Sequence, residues 1–106
     1  MKKNLEYIKK ILKKNENILR EKFKVKNLGI FGSFVRGEQN KNSDLDILVE
    51  FYETIDLFTF IELKQFLSNI LHTEVDLVMK ETLKKRFKNT IEKETLYIWK
   101  EIIYNI

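Results

Sequence analysis

The chain of 106 residues has no cysteine, no proline, one histidine, one tryptophan and three glycines. Without cysteine there is no disulfide framework and no thiolate chemistry. The single histidine, His72, falls where a helix should give way to a strand, and it reads as a helix-end residue rather than a metal ligand or general base. No stretch of 18 apolar residues occurs, which excludes a membrane-spanning helix. The first twenty residues, MKKNLEYIKKILKKNENILR, lack the apolar centre of a signal peptide and are too rich in acids and lysine for a transit peptide. The cytoplasm is therefore the expected compartment. No linker, repeat or low-complexity tract divides the sequence, so residues 1–106 are expected to form a single domain. Aspartate is scarce too: twelve Glu but four Asp, namely Asp44, Asp46, Asp56 and Asp76.

What is abundant is lysine. Seventeen Lys and three Arg outweigh the acids for a formal net charge of +4. The lysines are dispersed among glutamates, as on solvated helix faces. Such a charge could help attract a triphosphate but is too diffuse to argue for nucleic-acid binding.

Apolar spacing organises the chain. Leu5, Ile8, Leu12 and Leu19 recur at helical intervals and predict an amphipathic helix over 3–21. VKNLGIF at 25–31 is short, partly β-branched and stopped by Gly32, as a strand should be. The polar run 37–43 reads as a loop. Residues 44–51 alternate, with Asp44, Asp46, Leu48 and Glu50 on one face and Leu45, Ile47, Val49 and Phe51 on the other. Asp56 is suited to cap a long helix with Phe60, Leu63, Leu67 and Ile70 on its buried stripe. EVDLVM at 74–79 predicts a third strand. The remainder reads as helical, with Leu83, Phe87, Ile91, Ile98 and Ile102 in one line and Leu96, Trp99 and Ile103 in a second. A helix on one sheet needs only one apolar line, so the second predicts a seat for a partner protein or a second copy of the chain. The expected class is α/β (α+β), a small mixed sheet of about three to four strands packed with helices.

The scarce aspartates are placed where the residue is normally depleted. Asp44 and Asp46 sit within one strand and Asp76 within another, between Val75 and Leu77. Residues i and i+2 of a strand point the same way, so Asp44 and Asp46 can converge, and a neighbouring strand could add Asp76. Crowded carboxylates repel one another, and the usual remedy is a hard cation with oxygen ligands. Gly32-Ser33, after the first strand, opens a helical turn suited to phosphate oxygens, and Arg36 can pair with a phosphate or serve a structural salt bridge. A phosphate cradle beside paired strand carboxylates is the equipment of two-metal phosphoryl or nucleotidyl transfer.

Gly32-Ser33, ten intervening residues and then Asp44-Leu45-Asp46 resemble the signature of the DNA polymerase beta-like nucleotidyltransferase superfamily. The string FGSFVRGEQNKNSDLDILVEF, with the later EVDLV and IEKETLYI, is similar to its minimal prokaryotic branch, the MNT proteins. Those are commonly paired with HEPN ribonuclease toxins and include antitoxins that AMPylate the toxin. The resemblance implies a nucleotidyltransferase fold, ATP as substrate and two Mg²⁺ ions. It further implies metal ligation and catalysis by Asp44, Asp46 and Asp76, with Gly32 and Ser33 at the β- and γ-phosphates. One departure stands out: His72-Thr73 replaces a turn that often contains glycine in relatives. Glu74 shares a face with Asp76 and is the alternative third carboxylate. Three functions follow from the resemblance: AMP transfer to a HEPN toxin, masking of a partner without catalysis, or nucleotidyl transfer to a small molecule or RNA. The last is disfavoured because no separate acceptor-binding domain is expected.

Overall fold

The computed structural model describes residues 4–38 and 44–101. Asn4 caps α1 (Leu5–Lys14), its side chain accepting from the Tyr7 N–H at 2.9 Å. Ile8 and Leu12, one turn apart, are fully buried, while Lys10, Lys13 and Lys14 are exposed. The helix expected over 3–21, whose first residue lies outside the described residues, is broken at Asn15. There the side-chain Nδ2 donates to the Ile11 carbonyl at 2.8 Å, a bond that competes with the backbone ladder. α2 (Glu16–Glu21) resumes the chain's course and buries Leu19.

The three expected strands form as β1 (Val25–Phe31), β2 (Leu45–Phe51) and β3 (Val75–Met79). A short helix, α3 (Ser33–Arg36), follows β1, and most of the polar run after it, 39–43, lies outside the described residues. α4 (Leu57–Leu71) starts at Asp56, whose carboxylate accepts from the Thr59 N–H at 2.7 Å. It buries Leu63, Leu67 and Leu71 completely, each worth about 1.5–3 kcal/mol of burial. His72 ends α4 in the left-handed region, at φ 53°, as its junction position suggested.

The C-terminal part departs from expectation. After a 3₁₀ turn at Lys80–Thr82, α5 (Lys85–Glu94) is a helix, but Leu96–Trp99 is a strand, β4, antiparallel to β1. Leu96 and Trp99 therefore do not lie on a helical line, and Ile98 does not continue Phe87 and Ile91. Ile102 and Ile103, and the aromatic Tyr104 beyond them, lie outside the described residues. The surplus apolar stripe that suggested a docking seat is dissolved by this strand. Its cause is partly local, since Thr95 to Trp99 is rich in β-branched and aromatic residues. The rest is tertiary: Gly29 leaves β1 bare, and a Cβ there would fall 2.4 Å from Thr95 Cγ2. β4 docks in the space that this missing side chain leaves.

The sheet runs β3-β2-β1-β4, with β2 parallel to β3 and antiparallel to β1. Its apolar face (Leu28, Ile30, Leu45, Ile47, Val49, Val75 and Leu77) joins Ile8, Leu12, Leu19 and the α4 leucines in one core. The opposite face carries Asp46 and Glu50 of β2 and Asp76 of β3. α5 reaches that face through Lys80, whose ammonium lies 3.2 Å from Glu92 and 3.8 Å from Glu50. Asn27, the buried polar residue of β1, donates to Glu50 at 2.6 Å and accepts from the Glu101 N–H at 2.6 Å.

Candidate active site

Strand register assembles the site. Phe31 at the end of β1 lies opposite Asp46, and Asp46 lies opposite Asp76 across the parallel β2/β3 pair. Gly32, just past the end of β1, thus stands beside Asp46, and Asp46 beside Asp76, although the first and last are 44 positions apart in the chain. Asp44, one position before β2, is exposed, on the same alternation as Asp46.

Gly32 is required here on two counts. Its φ is +79°, a region side chains rarely adopt, and a Cβ would fall 2.1 Å from Asp46 Oδ2. The bare Cα therefore lets the chain turn into α3 directly against the carboxylate. The Val35 and Arg36 N–H groups donate back to the Gly32 carbonyl at 3.1 and 3.2 Å, which fixes the turn. Ser33, half-buried, is the first residue of α3.

The Asp46 carboxyl is pushed up from 3.8 to about 6. Burial is the largest cause, followed by the charge of Asp76, a carboxyl–carboxyl hydrogen bond with Asp76, and the charge of Asp44, with Arg36 opposing. Glu74, whose carbonyl accepts from the Leu45 N–H at 2.9 Å, is not among the groups that perturb Asp46. Among the described residues no group of three or more acidic, histidine or cysteine side chains is closed into a ready metal cage. The tight pair is Asp46 and Asp76, with Asp44 at the strand mouth.

Arg36 is half-exposed and pairs with two carboxylates, Glu38 at 3.1 Å and Glu94 of α5. Its own pKa is raised, first by the Glu94 hydrogen bond and then by the Glu94 charge. Of the two roles open to Arg36, the ion pair is the one present in this arrangement. Nothing in the sequence pointed to Glu94 or to the Glu50–Lys80–Glu92 set, because each contact joins elements distant in the chain. Lys80 is held above its ordinary value despite burial, by the Glu92 hydrogen bond and the charges of Glu50 and Glu92.

The site is an open shelf at the start of β2 and β3. Two concavities of about 400 and 450 Å³ lie at the other end of these strands, around Phe51, Ile55, Leu57 and Met79. They are remote from the aspartates.

A family model described as the nucleotidyltransferase domain matches residues 12–98. A candidate protein adenylyltransferase of Methanocaldococcus jannaschii is 50% identical over 97 residues, covering 91% of this chain and 99% of that one. The protein adenylyltransferase MntA of Thermococcus cleftensis is 47% identical over 94 residues, covering 89% and 95%. A crystal structure of a toxin–antitoxin with AMP-PNP is similar at a TM-score of 0.72 and 29% identity, covering 88% of this chain and 73% of that one.

Proposed function

The chain belongs to the nucleotidyltransferase domain family, and on that premise we propose that it transfers AMP from ATP to a side-chain hydroxyl of a partner protein, a HEPN-type toxin, as the toxin's antitoxin. The observation that carries this reading is the alignment of Gly32, Asp46 and Asp76, with Asp46 pushed up to about 6 by burial and its neighbours. A half-buried carboxylate crowded by like charges suits a hard cation, so the residues fit Mg²⁺. Asp44 and Asp46 would hold two ions and Asp76 would complete the site. Bound metal supplies neutralisation of the triphosphate and acidification of the acceptor hydroxyl.

The chain's own groups account for the rest. The Gly32 turn admits the outer phosphates close to the backbone, and the Ser33 hydroxyl donates to them. Arg36 contributes positive charge beside them. Asp76, exposed at the β3 edge, accepts the acceptor's proton. The acceptor oxygen bonds to the α-phosphorus, the bond from that phosphorus to the α–β bridging oxygen breaks, and pyrophosphate leaves with the electron pair. Electrostatics and positioning carry catalysis in such a transfer. The names of the relatives and the AMP-PNP in the similar complex support ATP and a toxin partner. We place the reaction in the cytoplasm. Among the described residues no helix is long and apolar enough to cross a membrane.

The test is to purify the protein with the product of its neighbouring reading frame, add Mg²⁺ and labelled ATP, and locate the label by mass spectrometry. Label on a partner side-chain hydroxyl, absent with Asp46→Asn, is expected. Full inhibition of the partner without label, unchanged by Asp46→Asn, would show a masking module instead.

A further inference from the structure

We infer that Glu94, at the end of α5, is a positioning residue that holds Arg36 toward the bound triphosphate. This rests on the active-site reading above and assigns a role to an element outside the signature residues.

Arg36 closes the turn that starts at Gly32, and its N–H donates to the Gly32 carbonyl at 3.2 Å. Its long side chain would sample many rotamers if free. Instead its Nε meets Glu38 and its Nη1 meets Glu94. Two of five guanidinium donors are engaged, and Nη2 is in neither contact among the described residues. The two carboxylates are not equivalent. The Glu38 side chain is 62% exposed, two residues along the same loop, whereas that of Glu94 is 21% exposed and comes from another element. Glu94 is therefore the better-fixed partner.

Its own placement is built. Thr95 closes α5, donating through both its N–H and its hydroxyl to the Ile91 carbonyl at 2.9 and 2.6 Å. One half-turn back, Glu92 is tied to Lys80, which also faces Glu50 of β2. α5 has no fully buried residue, so these charged contacts, more than a packed stripe, set its seat. The chain of contacts Glu50–Lys80–Glu92, α5, Glu94–Arg36 runs from the sheet face to the phosphate turn. A guanidinium already oriented loses less freedom when it meets a phosphate.

The alternative is that the pair only pins α5 to α3. Calorimetric titration of Mg²⁺·ATP, with thermal melts of each variant, separates the two. Glu94→Ala should weaken binding roughly fivefold to tenfold with little change in melting temperature, since a half-exposed ion pair adds little stability. Glu94→Gln, which still accepts a hydrogen bond, should fall between. In an Arg36→Ala background, Glu94→Ala should add nothing. The same loss in both backgrounds, or unchanged affinity in Glu94→Ala while Arg36→Ala binds weakly, would overturn the positioning role. Binding lost in Asp46→Asn but untouched in both Glu94 variants would also overturn it while leaving the active-site reading intact. No binding by the wild-type chain would overturn both.

Discussion

Asp46 keeps its proton to about pH 6 rather than the ordinary 3.8, so the folded chain binds that proton more tightly than the unfolded chain. The stability it lends is complete below 3.8 and is lost as pH rises through about 6. In chelator, the melting temperature should therefore fall between about pH 4 and pH 7, and Asp46→Asn should flatten that fall. The same variant should abolish transfer while keeping the fold, and at pH 7 without metal it should melt no lower than the wild type. Thermal melts across pH check this, and a large loss of stability in Asp46→Asn would make the residue structural. Gly32→Ala makes the complementary case. An alanine forced to φ +79° against Asp46 should cost about 1–3 kcal/mol and displace the carboxylate. Denaturant melts and nucleotide titration should both register it, and a variant with unchanged affinity would show that the close approach is dispensable. Both residues were visible in the sequence through their spacing, because a Gly-Ser turn and an Asp-x-Asp strand are local signals. The Glu94 contact was not, because only the folded chain brings residues 36 and 94 together.

Among the elements, α4 was the most legible, since Asp56 announces its start and Leu63 and Leu67 of the expected stripe are buried, although Leu71 completes the buried set and Phe60 and Ile70 are only partly covered. β2 was equally plain, because alternation over Leu45–Phe51 fixes both its period and its polar face. β4 was misread. Leu96, Trp99 and Ile98 fall at spacings that extend the apolar line of α5, and four residues are too few for period alone to decide. What decides is an unpaired β1 edge and a glycine at position 29, neither of which is local information. Asn15 broke the first helix by a side-chain bond that periodicity does not register. Asn27 tests how β4 is held. Asn27→Ala removes the group that pairs with Glu50 and with the Glu101 N–H, and should cost about 1–3 kcal/mol. Hydrogen exchange should show faster exchange at Glu101 and along Leu96–Trp99, with β2 and β3 unaffected. Uniform loosening of the whole sheet would contradict a local role.

At the scale of the molecule, one sheet face is given to the core, and the other carries charge beside the buried Leu48. The aspartates open onto a shelf at one end of β2 and β3, with the Gly32 turn on the β1 side and Asp76 at the exposed β3 edge. Nothing among the described residues walls the shelf beyond β3, which suits an acceptor brought by a second protein. The central question is whether this shelf is a metal-dependent nucleotide site. Calorimetric titration of ATP into the protein, once with Mg²⁺ and once with chelator, addresses it directly. Three carboxylates should repel a bare triphosphate, so binding should be seen with Mg²⁺ and lost in chelator. Equal affinity in both conditions would contradict it.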